Sequence, residues 1–478
     1  MNTGKLNIDM SANLLIKVGF ALPFLIFLLF YSFELFSVSL LAILLLIWFG
    51  NQKHINLFNS FTLFSIYYFT VIPTALYFYF TDFKNTLFIT ETSFNNNIND
   101  LFLYCLWFFI FGWLSSLFGY KLFATKKQFT LQFKENYSDF LINFLIFIFC
   151  FIGLCNFAWN VLYFADGNLL NYFANISVRY YEFKEAGTTI GYLFLELAAY
   201  LGCYQSLKYR RKISFFTYLL IILTFIVRLS TGRIFQSLAI LATFACVYYL
   251  SLSSNKTNKN YKFIGLGFGL GVCGVLIYFF RITSSLHFIG DFSGNWITQI
   301  LSFLNFETVF KFAIDKGNMP NIPVCMKIID SWETDIGFLY GRSLYEWVFS
   351  FLPKIIRPEY NCPGILVKQI WYEHIPGGNL PPTGIGEMYA NFGFLGPIFG
   401  MFGFGVFAAY MWNILVKLQS YWMLAIYSNI SINFFFLFAK GEFNNLTLWQ
   451  IIPFIAIYLF LKILTLIFST SSKTKNDL

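Results

Sequence analysis

Long runs of apolar residues, separated by short polar stretches, dominate the chain. A helix that crosses a bilayer needs about 20 mostly apolar residues. Runs of that kind predict twelve spans, over 12–31, 35–50, 57–81, 101–123, 139–165, 190–207, 213–230, 234–252, 263–280, 392–416, 421–439 and 447–468. The second is short, but 12–50 as one helix would far exceed the thickness of a bilayer, so Ser32-Phe33-Glu34 is expected to turn the chain. The first run has no short apolar core followed by a small-residue cleavage site, and is expected to stay as a signal anchor. No internal repeat is visible. The pattern divides the chain into 1–280 with spans one to nine, 281–391 outside the membrane, and 392–478 with three spans and a tail.

Composition supports an all-α polytopic membrane protein. Of 478 residues, 58% are hydrophobic, 12% are charged and 66 are Phe, with a mean hydropathy of +0.64. A soluble domain carries about 25% charged residues because water must wet its surface. A disordered chain, a nucleic-acid-binding module and a disulfide-stapled secreted scaffold are thereby excluded. The net charge of +9 forms no basic stripe, so it marks topology, and the partner it implies is the lipid bilayer.

Assigning loops alternately, with the N-terminus inside, puts 16 lysines inside and 8 outside. By the positive-inside rule both termini are then cytoplasmic. The inner loops are short and basic, Lys208-Tyr209-Arg210-Arg211-Lys212 most clearly. Residues 281–391 form an outer segment long enough for a small domain, and shorter outer loops cover 82–100 and 166–189. Arginine inverts the rule. Only Arg210 and Arg211 lie inside, whereas Arg179, Arg228, Arg233, Arg281, Arg342 and Arg357 lie outside. A guanidinium presents a planar fork that fits phosphate bidentately and keeps its charge. Any one of the six is equally well explained by pairing with a carboxylate or by snorkelling to lipid phosphate; six together point to a shared anionic ligand.

Residues 371–397, from Trp371 to Pro397, are rich in Gly and Pro, so irregular backbone is expected up to about Gly386. Such backbone is tolerated at a membrane only when buried in protein or lining a wet cavity. Glu387, Tyr389 and Asn391 then point polar groups at that cavity, although Glu387 also suits a helix N-terminus as a cap. His374, beside Glu373, is a candidate base. Glu196, one turn from both Tyr192 and Tyr200, should face a partner or a cavity, because a carboxylate within a span costs about 2.5–3.5 kcal/mol on insertion scales. A protonated Glu196 bonded across helices is its plainer explanation. No metal-ligand spacing, Walker motif, Rossmann fingerprint or G-x-S-x-G elbow is present, and no cofactor is expected.

Three elements carry a resemblance to a known family. They are the pair in Arg228-Leu229-Ser230-Thr231-Gly232-Arg233, the element Leu352-Pro353-Lys354-Ile355-Ile356-Arg357-Pro358 within one long outer loop, and the stretch from Pro382 to Gly396. With these elements and its topology, the chain resembles the oligosaccharide repeat unit polymerases (Wzy-type, O-antigen polymerase family) of bacterial inner membranes. It departs from the family's proline-arginine element in having Lys354 after the proline and the arginine displaced. The resemblance implies a GT-C-like glycosyltransferase of the inner membrane, independent of metal, acting at the periplasmic face. Its substrates would be undecaprenyl-pyrophosphate-linked glycans, joined en bloc with release of undecaprenyl pyrophosphate, and a chain-length regulator is a candidate partner. Arg228, Arg233, Arg281, Arg342 and Arg357 would hold pyrophosphate together with Tyr389 and Asn391. Glu387 or His374 would serve as base, and Trp371 and Tyr372 would stack on sugars. A flippase for the same lipid-linked glycan and an O-antigen ligase are the alternatives, though the large outer segment argues against the flippase. Of the eight cysteines only Cys325 and Cys362 fall in the outer loop, and in an oxidising periplasm they are expected to pair.

Overall fold

The computed structural model describes residues 22–50, 56–81, 93–133, 137–174, 190–210, 212–231, 234–252, 319–346, 348–349, 352, 362–373, 380–443, 446 and 451–473. Every regular element among them is helical. Five helices are long and apolar enough to cross a membrane: Phe33–Gly50, Ser60–Thr81, Ile98–Phe123, Asp139–Ala165 and Thr383–Leu418. Leu22–Tyr31, Phe215–Leu229, Gln236–Ser251 and Ile452–Thr465 are shorter apolar helices. The chain is therefore a multi-pass membrane protein. The expected span over 263–280 lies outside the described residues.

The fate of the phenylalanines makes the same point physically. On the helix Asp139–Ala165, Phe140, Phe144, Phe147 and Phe151 recur at helical spacing and are 79%, 50%, 69% and 62% exposed. A continuous apolar stripe of that size on a soluble protein would be an aggregation surface; against lipid it is the solvated face.

Two compact units make up the chain: residues 1–125 with 310–413 and 434–448, and residues 126–309 with 414–433 and 449–478. The first contains α1 (Leu22–Tyr31), α2 (Phe33–Gly50), α3 (Ser60–Tyr68), α4 (Val71–Thr81) and α5 (Ile98–Phe123). Asn59 and Asn97 cap α3 and α5, each side chain accepting a bond from a backbone N–H two residues on, at 3.0 Å. The expected hairpin at Ser32 is instead a single-residue break. Its hydroxyl caps α2, accepting from Leu35 N at 3.2 Å and donating to Glu34 at 2.8 Å. One residue is shorter than the loop of about two to five that antiparallel helices need, and backbone bonds from Ser32 N to the Leu28 carbonyl and from Phe36 N to the Ser32 carbonyl carry the chain across it. The run 57–81 is likewise broken at Phe69-Thr70, because Pro73 has no N–H to return to the Phe69 carbonyl.

Residues 319–373 add α6 (Ile322–Asp335), α7 (Arg342–Glu346) and α8 (Pro363–Ile370) to this unit, followed by α9 (Thr383–Phe392) and α10 (Gly396–Leu418). α6 packs on both α5 and α9. The irregular backbone expected up to Gly386 ends earlier, since α9 starts at Thr383. Pro381 and Pro382 precede its first turn, where a missing N–H costs nothing. α10 lies backbone to backbone on α5: a Cβ on Gly405 would stand 2.0 Å from the Ser116 carbonyl oxygen. Close approach of this kind is what small residues provide where lipid removes the hydrophobic drive between helices.

The second unit holds α11 (Asp139–Ala165), α12 (Leu169–Ala174), α13 (Ile190–Arg210), α14 (Phe215–Leu229), α15 (Ile234–Ser251), α16 (Tyr421–Ile430) and α17 (Ile452–Lys473). α13 is its centre, packed on α11 and α14, with Tyr200 accepting a bond from the Tyr421 hydroxyl at its carbonyl, 2.6 Å. Its polar Tyr192, Glu196, Tyr200 and Tyr204 are compatible with a span because protein, not lipid, surrounds most of it. The expected span 421–439 gives way after Ile430 to a π-helical turn, Ser431–Phe435.

The Gly405 contact makes a testable difference between neighbours. Gly405→Ala is expected to destabilise the detergent-solubilised protein by about 1–3 kcal/mol, since backbone has to move. Gly403→Ala, where a Cβ meets nothing within 4 Å, is expected to leave the aggregation temperature unchanged. Equal behaviour of the two variants would contradict the backbone-to-backbone contact.

Candidate functional site

α9 gathers the polar residues, and its entry is held in a strained shape. Thr383, fully buried, has φ of +70°, a left-handed conformation that costs a β-branched residue about 1–3 kcal/mol. Two bonds over-determine it: Gly386 N donates to its Oγ1 at 3.1 Å, and Gly384 N donates to the Phe438 carbonyl at 3.0 Å. A Cβ at Gly384 would stand 2.7 Å from that same carbonyl oxygen, so only glycine fits.

One turn further, Glu387 is 0% exposed. The Ser343 hydroxyl donates to Oε1 and Phe443 N donates to Oε2, both at 2.7 Å. Asn391 Nδ2 donates to Ser343 Oγ at 2.7 Å and to the Glu387 carbonyl at 2.8 Å, while Gly341 N donates to Asn391 Oδ1 at 3.0 Å. Leu339 N and Tyr340 N bond the carbonyls of Ala390 and Asn391. The node thus pins the turn before α7 to α9, and both Tyr340 and Gly341 take positive φ there, +48° and +85°. In this geometry neither carboxylate oxygen reaches solvent. For Glu387 to accept a proton from a substrate, the turn bearing Ser343 or the backbone at Phe443 has to move aside.

A second buried carboxylate stands nearby. Glu442, 1% exposed, accepts from Gly364 N at 3.0 Å, and its charge acts on both Glu387 and the Cys362 thiol. Burial and that charge push the Cys362 thiol well above its ordinary value. Glu442 escaped sequence reasoning. The only signal was a charged Lys440-Gly441-Glu442 between two apolar runs, which looks like an ordinary loop.

The remaining candidates scatter. Arg342 heads α7 next to Ser343, and its half-exposed guanidinium donates from Nε to Glu346 at 2.7 Å. Tyr389 turns away from the node and packs its ring on Phe108 and Phe338. Tyr372 is wholly buried in the cluster around Val324, Ile328 and Trp332, so it offers no face to a sugar. Trp371 donates from Nε1 to Asp335 at 2.8 Å, and the Lys327 ammonium sits 5.3 Å over its ring. In the second unit Arg228 pairs with Glu196 at 3.3 Å, so the buried carboxylate has the partner it needed. His374, Arg179, Arg233, Arg281 and Arg357 lie outside the described residues.

Asp330 ties the loop before α5 to α6. Its carboxylate accepts from the backbone of Asn95 and Asn96 at 2.8 and 3.0 Å, and Lys327 stands 3.6 Å away. Burial opposes its ionisation, but these bonds and the Ser331 hydroxyl outweigh it and hold the carboxyl below its usual range. The expected Cys325–Cys362 bridge is not formed. Cys362 caps α8 beside Glu442, whereas Cys325 is on α6 facing α5. Among the described residues no group of three or more His, Cys, Asp or Glu is placed to hold a metal ion.

Ser343→Ala removes a donor from a buried carboxylate, and is expected to cost about 1–3 kcal/mol. The measurement is the aggregation temperature of solubilised protein, with Tyr345→Ala on the exposed side of α7 as control. An unchanged value for Ser343→Ala would show that the node does not hold α7 in place. The chain matches no family model, no curated protein and no solved structure.

Proposed function

We propose that this protein polymerises undecaprenyl-pyrophosphate-linked oligosaccharide repeat units at the outer face of a bacterial inner membrane. The observation that carries this is Glu387. It is a fully buried carboxylate whose donors among the described residues, the Ser343 hydroxyl and Phe443 N, are neutral, and a second buried carboxylate is close by. An acceptor hydroxyl has to lose a proton to a positioned base, and a carboxylate without a cation beside it retains more basicity than one in an ion pair. In the reaction the acceptor oxygen attacks the anomeric carbon of the growing glycan, and the bond to pyrophosphate breaks. The proton passes to Glu387, once the Ser343 turn opens, or to His374. Negative charge develops on the leaving pyrophosphate, where arginine charge stabilises the transition state. Arg342, adjoining Ser343 in the same short helix, is nearest in sequence to the node. Arg233, Arg281 and Arg357 complete the proposed set, together with Arg228 if it exchanges Glu196 for the ligand.

The Arg228–Glu196 pair also favours a second reading, transport of the same lipid-linked glycan, because charged pairs between spans commonly mark a passage. The surface-polysaccharide profile of a deletion strain separates the two. A polymerase leaves one repeat unit and no ladder; a flippase or a ligase leaves none. Within the polymerase assignment, Lys substitutions at Arg233, Arg281 and Arg357 are expected to shorten the ladder nearly as much as Ala, since a point charge does not reproduce bidentate contacts. Wild-type ladders from all three Lys variants at normal membrane levels would reduce the requirement to positive charge alone.

A further inference from the structure

The turn between α6 and α7 carries a tyrosine where its backbone calls for glycine. Gly337, Tyr340 and Gly341 all take positive φ, +84°, +48° and +85°. A left-handed backbone suits glycine and strains a bulky side chain. The conformation is imposed by α9: Leu339 N and Tyr340 N donate to the Ala390 and Asn391 carbonyls, and Gly341 N to Asn391 Oδ1, each at 3.0 Å. The ring recovers little of the strain by packing. It is 80% exposed and meets Phe338 edge-on, with the ring centroids 6.4 Å apart. Arg342 and Tyr345 follow three residues apart on α7, and so share a face. Tyr345 is exposed, and the half-exposed Arg342 is fixed by the buried Glu346 at 2.7 Å. Ser343, between them, turns inward and donates to Glu387. One short segment therefore shows two tyrosines and a guanidinium to the outside and covers the carboxylate on the inside.

We propose that Tyr340 is a stacking platform for a pyranose ring of the lipid-linked glycan, with Tyr345 and Arg342 beside it. The proposal rests on the function given above and names a residue that takes hold of the glycan. A pyranose presents a face of C–H bonds, which the negative π-face of an aromatic ring attracts. Tyrosine offers a large rigid surface for that purpose with only two torsions to fix. Arg342 supplies charged donors for the pyrophosphate that such a sugar carries. Glycine at 340 would serve the turn equally well and leave the sugar no surface, which accounts for a strained tyrosine between two glycines.

The test uses the full-length protein in nanodiscs. The probe is the oligosaccharide that mild acid releases from the host's own lipid-linked repeat unit, and its binding is followed by calorimetry. Tyr340→Gly is expected to keep or raise the aggregation temperature while weakening binding about tenfold, as loss of one stacked ring does. Tyr340→Phe and Tyr340→Trp are expected to bind as wild type does. Tyr340→Leu keeps an apolar side chain but no ring, and is expected to bind as weakly as the Gly variant. Wild-type binding by the Leu variant would overturn the platform and make Tyr340 an anchor in the lipid interface; a lower aggregation temperature for the Gly variant would make the ring structural and overturn it too. Lengthening of lipid-linked repeat units in vesicles separates the two claims. Lengthening by wild type without ring-dependent probe binding removes the platform alone. Ring-dependent binding without lengthening supports the platform and removes the polymerase reading, and neither binding nor lengthening removes both.

Discussion

Glu387 has to be satisfied from within the protein, and much of the first unit is arranged around that requirement. Desolvating a carboxylate is expensive unless hydrogen bonds replace the lost water. The two bonds that do so come from segments far apart in the chain, Ser343 at 2.7 Å and the backbone of Phe443 at 2.7 Å. Each partner is itself placed by something else. Asn391 orients Ser343, the positive-φ turn at Tyr340 and Gly341 brings α7 to α9, and the Gly384–Phe438 contact sets the start of α9 against the 434–448 stretch. A single unsatisfied member would leave a buried polar group exposed to a low-dielectric surrounding, so the node holds together or opens as a whole.

The same rule explains the second unit. Glu196 on α13 meets Arg228, and Asn160 donates to the Tyr192 hydroxyl at 2.5 Å, so polar groups inside the bundle find one another and leave lipid to the exposed phenylalanines of α11. Arg228 already has Glu196 as its partner at 3.3 Å, so a pyrophosphate would have to displace that carboxylate. That is why Arg228 carries less weight in the proposed pyrophosphate set than it does in the sequence.

What could be read from the sequence follows from how local each cause is. Apolar run length is local, so the helices over 98–123, 139–165 and 396–418 stand close to where the runs predict them. Pro73 stands in plain view within 57–81, yet that run reads as one unbroken span, and the break at Phe69-Thr70 shows only in the structure. Ser32 was also visible, but whether a serine turns a chain or only caps the next helix depends on the residues around it in space. The polar pair Glu387 and Asn391 was legible as polar residues at a membrane edge. Ser343 and Glu442 were not, because each is an unremarkable residue until a distant backbone group comes to it. Tyr372 shows the opposite error: an aromatic beside Trp371 looked like a sugar platform, yet three-dimensional packing spends it on the core. The expected pairing of Cys325 with Cys362 rested on their sharing one loop, and a shared loop does not by itself bring two sulfurs together.

The central claim is that this membrane protein joins lipid-linked repeat units rather than moving them. It is tested most directly with the purified protein reconstituted in vesicles and supplied with polyprenyl-pyrophosphate-linked repeat units on the outer-facing side. The account predicts products of increasing repeat number, with one polyprenyl pyrophosphate released per linkage and no loss of rate on adding a chelator. Passage of the repeat unit across the vesicle membrane without any lengthening would contradict it.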